Sequence, residues 1–256
     1  MVEMPKDLLQ VTGLKKHFGG LKAVDGVDLC VRRGETMGLI GPNGAGKTTF
    51  FNMVCGAYEP TDGKILLAGQ EIQGLKAYEA ARRGIARTFQ ITKVFKDMTV
   101  EDNLLAAFAL HRAPTLLSSL GRSHTRRNLE EVREYLERVD LIAFAKAKAG
   151  DLSLGYMRRL EIARALALQP VLLMLDEPCA GLSKDATLDF MELVRKLRAS
   201  GTTIMIVEHN MAVATALCDR MTVLSYGVKI AEGTPQEVQN NQAVIDAYLG
   251  EAEEAG

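Results

Sequence analysis

Little in this sequence points to disulfide or metal-cluster chemistry. Its four cysteines, Cys30, Cys55, Cys179 and Cys218, lie far apart with no C-x-x-C pair. That argues against both a zinc site and a disulfide framework, and it fits a reduced, cytosolic setting. An excess of one charge is also missing. Lys and Arg number 31 against 32 Asp and Glu, for a net charge of −1, so there is no overall basic footprint for nucleic acid. No apolar run approaches the ~18 residues that a membrane span requires. The chain is expected not to cross a bilayer, though it can dock on something that does. Met1 to Asp7 carries no apolar signal core, and there is no heptad array or basic tail. What is present is ordinary: 256 residues, 47% hydrophobic and 25% charged. This suits one large globular domain, or a domain with an inserted subdomain.

The stretch that organises the rest is Gly41-Pro42-Asn43-Gly44-Ala45-Gly46-Lys47-Thr48-Thr49. It fits G-x-x-x-x-G-K-[ST], the phosphate-cradling P-loop. Gly41, Gly44 and Gly46 let the backbone turn tightly and aim N–H groups, Asn43 included, at an anion. Lys47 brings a positive charge to the β- and γ-phosphates, and Thr48 brings a hydroxyl to a Mg²⁺ ion. Thr36 to Ile40 reads as a short apolar strand before the loop, and the residues from Thr49 on read as a helix after it. A phosphate there also meets the positive end of the helix dipole.

Along the chain, Leu8 to Leu14 and Val24 to Val31 alternate as half-buried strands do. Phe18, before the Gly19-Gly20 turn, is either an adenine-stacking aromatic or a hairpin residue. Residues 63–69 read as a strand, and Ala77 to Arg83 as a short helix stopped by Gly84. Ile85 to Gln90 reads as a buried strand with a polar end. From 91 to 168 helical periodicity takes over, with a helix start at Thr99 and an apolar face of Leu129, Val132, Leu136 and Val139. Residues 114–127 between these read as a loop. The apolar strand Val171 to Leu175 ends at Asp176-Glu177. A helix over Asp185 to Ala199 follows, then a strand over Thr202 to Val207 that ends at Glu208-His209. Strands at 221–224 and 228–231, short helices to Tyr248 and a frayed acidic tail from Glu251 complete the chain. His17, His111 and His124 are read as structural or surface residues.

Non-alternating strands separated by helices argue for a parallel sheet buried on both faces. In such sheets a ligand sits beyond the carboxyl ends of the strands. Four polar elements, distant in sequence, are therefore expected around one nucleotide. Asp176 can hold Mg²⁺, directly or through water. Glu177 can polarise the attacking water. Gln90 can serve the metal or the water, and His209 can bond the γ-phosphate. Taken singly, Gln90 is a strand cap, His209 a packed histidine and Asp176-Glu177 a helix start; with the P-loop they read as one ATP and Mg²⁺ site.

The order P-loop, Gln90, Leu152-Ser153-Leu154-Gly155-Tyr156, Val171 to Glu177 and His209 resembles the ATPase subunit of an ABC transporter. Gly84 to Gln90, Met98 to Leu104, Arg158 to Arg164 and Asp246 to Gly250 resemble more closely the ATP-binding subunits of branched-chain amino acid importers, motifs shared with urea-importer and lipopolysaccharide-export ATPases. The resemblance implies an α/β fold: a RecA-like P-loop NTPase core with a mostly parallel sheet (1–90 and 169–256), an N-terminal antiparallel β subdomain, and an inserted helical subdomain (91–168). It implies adenine stacking by Phe18. It also implies that Ser153 and Gly155 cap the γ-phosphate of ATP held by a second ATPase subunit, with Ala180 to Lys184 crossing that interface. The usual family signature is L-S-G-G-Q, so Leu154 and Tyr156 depart from it. A plain Ser-capped helix is the alternative at this point. The implied partners are a second subunit, identical or related, transmembrane permease subunits that dock near Gln90 at the cytoplasmic face of the membrane, and indirectly a solute-binding protein. A non-transport ABC ATPase that acts on nucleic acid or in complex assembly is the alternative class; such chains usually carry two ATPase domains, coiled coils or basic arms.

Overall fold

Alternating apolar residues over the first strands predict a sheet with one buried face, and the structure, a computed structural model describing residues 7–112 and 125–254, has it. Strands β1 (Asp7–Phe18) and β2 (Leu21–Arg32) pair antiparallel through the Gly19-Gly20 turn, and β4 (Asp62–Leu67) and β5 (Gln70–Glu71) extend them into a four-stranded sheet of order β2-β1-β4-β5. Both leading strands run longer than their apolar alternation, because the polar ends continue to pair across the hairpin.

Between them come β3 (Thr36–Ile40) and helix α1 (Lys47–Val54). Helix α2 (Ala77–Arg82) and β6 (Ile85–Arg87) follow β5, and then three helices: α3 (Val100–Arg112), α4 (Arg126–Arg138) and α5 (Leu154–Leu166). The remaining elements are β7 (Leu172–Asp176), α6 (Lys184–Ala199), β8 (Ile204–Glu208), α7 (Met211–Leu217), β9 (Arg220–Ser225), β10 (Val228–Gly233), α8 (Pro235–Gln239) and α9 (Gln242–Glu254). The second sheet has six strands in the order β10-β9-β3-β8-β7-β6, parallel except for the β9-β10 hairpin.

The sheet's period of two divides the core. Leu173, Leu175, Ile204 and Ile206 face one apolar cluster with α3 to α6, while Leu172, Met174, Met205 and Val207 face another with α1 and the antiparallel sheet. Parallel strands covered on both sides are therefore apolar throughout. Val132, Leu136 and Val139 are fully buried, and Phe108 of α3 meets Tyr135 of α4 edge-on at 5.4 Å.

Several boundaries differ from the sequence reading, three of them informative. Helix α4 begins at Arg126, because Thr125 caps it by accepting from the Asn128 amide; residues 113–124, with His124 and most of the expected loop, lie outside the described residues. Helix α9 runs to Glu254, through Ala and Glu residues that favour helix. Strand β6 stops at Arg87, three residues short of Gln90. The reason is local: the Thr88 amide still bonds Met174 O, but the carbonyls of Phe89 and Gln90 are taken by side-chain donors of Arg158.

Candidate functional site

The P-loop leaves β3 and closes over the start of α1. Gly46, the N-cap of α1, sits at φ 97°, and Gly41 at φ 147°. A Cβ on Gly46 would stand 2.3 Å from Ala23 O, and one on Gly41 2.1 Å from Leu224 O. Only glycine fits either place. The turn is also laced to its surroundings: Gly227 N donates to Ala45 O, and Asp25 N to Gly227 O. The first turn of α1 contains no acid, so no residue of the helix itself offsets its positive end. Lys47 is buried, and its Nζ donates to the carbonyls of Gly41 and Pro42 at 2.6 and 2.7 Å.

A cavity of about 360 Å³ opens here, lined by Asn43 to Thr49, Leu21 to Ala23, Glu177 and Tyr226. It brings the P-loop together with the acid after β7, which sequence spacing alone leaves 130 residues away. Glu177 occupies a left-handed backbone conformation at φ 44°, sparsely populated by non-glycine residues and recurrent at active sites. Its amide donates to Val207 O, its carbonyl accepts from Ala180 N, and Gln90 Nε2 donates to its Oε2 at 3.1 Å. His209 Nδ1 stands 3.6 Å from its Oε1. The structure thus gathers Gln90, Glu177 and His209 on one carboxylate beside the P-loop.

Asp176 is buried, and burial pushes its carboxyl above the usual carboxylate range, while the Arg87 guanidinium pulls it back. Arg87 holds Asp176 Oδ2 at 3.5 Å and Asn52 Oδ1 of α1 at 2.8 Å, and its cation lies over the rings of Phe51 and Phe89. The Asp176 amide donates to Thr88 Oγ1. Among the described residues no three of His, Cys, Asp or Glu cluster as a metal site. The donor set fits Mg²⁺ nonetheless, because that ion takes one or two carboxylates and draws its other ligands from phosphate and water. Asp176 is a buried acid that pairs with Arg87 and also feels the charge of Lys47. Thr48 Oγ1 and the Gln90 amide oxygen are the other donors expected for the ion.

Ser153 and Gly155 lie elsewhere, in a second cavity of about 230 Å³ with Asp140, Tyr156, Arg159, Ala186 and Asp189. The two cavities share no lining residue. Ser153 is the N-cap of α5, yet its hydroxyl makes no capping bond. Leu154 reaches toward Gly181, and Tyr156 packs on Phe144 at 4.6 Å between ring centres. Phe18 is not among the residues lining the first cavity. Its ring meets Tyr58 edge-on at 5.7 Å and lies under Lys16 Nζ. Cys179 is half-buried, and burial pushes its thiol up to about 12, the neighbouring Glu208 adding to the effect. That is the inert, packed thiol rather than a reactive one. Arg158 and Glu208 are buried charges and Arg87 a half-buried one that reading the sequence does not single out, since charged residues are usually surface residues.

A family model described as "ABC transporter" matches residues 24–180, more than half of the chain. The chain belongs to the ABC transporter family. Its ATP-binding cassette is the part that hydrolyses ATP in coupling to transport. A second model, "Branched-chain amino acid ATP-binding cassette transporter", matches residues 228–254 of this ABC protein. The high-affinity branched-chain amino acid transport ATP-binding protein BraF of Pseudomonas aeruginosa is 46% identical over 97% of the chain and all of its own length. The ADP conformation of MJ1267, an ATP-binding cassette of an ABC transporter, superposes with a TM-score of 0.85 at 32% identity, over 96% of this chain and 100% of that one. MJ0796, a cassette solved as a dimer in a post-hydrolysis state bound to ADP and Pi, gives 0.74 at 25% identity over 89% and 98%. The α/β architecture with its antiparallel first sheet is therefore that of the ABC ATPases.

Proposed function

We propose that this ABC protein is the ATP-hydrolysing subunit of an importer for branched-chain amino acids or a related small polar solute. The carrying observation is that Glu177 lines the P-loop cavity while contacting Gln90 and standing beside His209. Such a carboxylate is placed to take a proton from a water molecule held next to a γ-phosphate. Lys47 leaves the carbonyls of Gly41 and Pro42 for the phosphates of ATP. Thr48, Asp176 and the Gln90 side chain hold Mg²⁺, which when bound neutralises charge developing on the phosphates. His209 bonds the γ-phosphate and loses that bond on hydrolysis.

Ser153 and Gly155 line a separate cavity, which supports the family reading that they act on ATP held by a second ATPase subunit, identical or related. Two subunits close on ATP and reopen after hydrolysis. This motion drives transmembrane permease subunits, which dock by Gln90 and the start of the helical segment at the cytoplasmic face. Among the described residues no helix is long and apolar enough to cross a membrane, so the path for the solute comes from those partners, and a solute-binding protein delivers it.

The test is purification of the tagged full chain from detergent-treated membranes, followed by reconstitution in proteoliposomes. The expected result is co-purification of permease subunits, with ATP hydrolysis stimulated by a binding protein loaded with leucine, isoleucine or valine. Recovery with nucleic acid and no membrane subunit overturns the importer reading in favour of a non-transport ATPase.

A further inference from the structure

Helix α5 carries Arg158, Glu161 and Arg164 three residues apart, on one face. Arg158 and Glu161 are about 95% buried, which charged side chains are only when they find partners. Their partners are one stretch of backbone. Arg158 Nη1 donates to Phe89 O at 2.7 Å and its Nη2 to Gln90 O at 2.5 Å. Glu161 Oε1 accepts from the Lys93 amide at 2.6 Å, and Arg164 donates to Lys93 O. Four backbone groups of residues 89–93 are thus held by three side chains of one helix. Just upstream the allegiance is different: Thr88 N bonds Met174 O of β7, and Arg87 pairs with Asp176. The chain changes hands between Thr88 and Phe89.

The consequence reaches the site through Gln90, whose backbone Arg158 grips and whose side chain bonds Glu177. We propose that Arg158 is a positioning residue for ATP hydrolysis: it sets Gln90 against Glu177 and ties that contact to the tilt of helix α5. Ser153, at the start of the same helix, is five residues away, about 7.5 Å along the axis. A displacement of α5 therefore moves Gln90 relative to the core that carries Glu177. The Arg158–Glu161 pair, at 3.8 Å, leaves Arg158 Nε and Glu161 Oε2 buried without hydrogen-bond partners, so the grip rests on the carbonyls rather than on the ion pair.

This inference rests on the reading of Gln90 and Glu177 given above, and the test keeps the two apart. Full-length Arg158→Met, Arg158→Lys, Gln90→Ala and the Arg158→Met/Gln90→Ala pair are compared with the unmodified chain by ATP calorimetry, steady-state hydrolysis and amide exchange of the peptide spanning residues 88–95. The expected result for Arg158→Met is kcat about 100-fold lower, as for a misplacement near 1 Å, with KM and ATP affinity within about threefold and at least tenfold faster exchange over 88–95. Lys, which keeps the cation and one carbonyl bond, should recover about tenfold of the loss. The pair should be no slower than Gln90→Ala, because both changes act through one contact. Unchanged kcat and exchange in Arg158→Lys and Arg158→Met, a lowered melting temperature with no loss of kcat in the folded protein, or additive losses in the pair would each overturn the inference. If Arg158→Met does not fold, exchange in the unmodified chain decides. Protection of the Lys93 amide that is lost in urea together with that of α5 supports the grip, and exchange at the rate of an open loop refutes it. Gln90→Ala and Glu177→Gln turning over normally would instead remove the functional reading, whatever the exchange data give.

Discussion

Gln90 and Glu177 are 87 residues apart in sequence, and Nε2 of the first donates to Oε2 of the second across 3.1 Å. The other oxygen faces His209 Nδ1 at 3.6 Å, so both ends of the carboxylate are attended. The backbone beneath it stays at φ 44°, at a cost of about 1–2 kcal/mol for an L-residue, held by the bonds to Val207 O and from Ala180 N. Replacing Glu177 by Gln preserves size and neighbours and removes only the base. Hydrolysis is expected to fall by about 10²- to 10⁴-fold, with ATP still bound and a dimer trapped. Turnover assays and size-exclusion chromatography in ATP check this, and near-normal turnover would take Glu177 out of the role.

Lys47 is buried and bonded to two carbonyls of its own loop, so the loop is preformed around a cation. Lys47→Ala deletes the buried cation of the cradle. Calorimetry should detect no ATP binding at concentrations that saturate the unmodified protein; unchanged affinity would refute the assignment.

Gly46 makes a backbone prediction. An added Cβ meets Ala23 O at 2.3 Å, in a conformation at φ 97° that L-residues resist. Gly46→Ala should lower unfolding free energy by about 2 kcal/mol or more and abolish ATP binding by pushing the loop off β2. Urea denaturation and calorimetry on one preparation test both; a variant that binds ATP normally would mean that the loop yields.

How much of this was legible beforehand follows from the kind of residue involved. Polar residues that end apolar strands announce themselves, which is why Glu177, which lines the Lys47 cavity, and His209, which stands beside Glu177, are expected together from sequence alone. The parallel order of the central strands followed from their lack of alternation. Arg87, Arg158 and Glu161 could not be read out, because a charge inside a helical or strand pattern looks like a solvated face until packing buries it. The length of β6 is overestimated from sequence for the same reason: beyond Thr88 the backbone carbonyls bond a side chain of α5 instead of β7. Phe18 shows the converse. Its place before the glycine turn suits either a base-stacking aromatic or a hairpin residue, and its ring lies against Tyr58 and Lys16, while Leu21 and Tyr226, unremarked in the sequence, line the cavity.

The thiols give a chemical test of burial. Cys55, Cys179 and Cys218 are each pushed up to about 12 by desolvation. At pH 8 the thiolate fraction is then on the order of 10⁻⁴, far below that of a free cysteine. In native protein these three should resist alkylation by iodoacetamide over minutes and react fully in urea, with peptide mass spectrometry assigning each site. Rapid native modification of Cys179 would place it outside the packed shell beside Glu208.

Arg87 yields the most demanding prediction, because it separates charge compensation from packing. Its side chain and that of Asp176 are 19% and 7% exposed, so removing the cation strands a buried carboxylate. Arg87→Met keeps much of the apolar stem between Phe51 and Phe89 and should cost about 3 kcal/mol at pH 7. The pH dependence has a definite sign. Burial already raises Asp176 above 3.8, and loss of Arg87 raises it further, so the folded variant holds its proton more tightly than the unfolded chain. Its stability deficit is therefore smallest near pH 4 and grows as pH climbs through the folded-state titration. Adding Asp176→Asn to Arg87→Met removes the stranded charge and should restore most of the lost stability and flatten that dependence, although hydrolysis stays absent. A deficit equal at pH 4 and pH 7, or undiminished in the double variant, would show that Arg87 serves α1 packing through Asn52 and the two rings rather than the charge of Asp176.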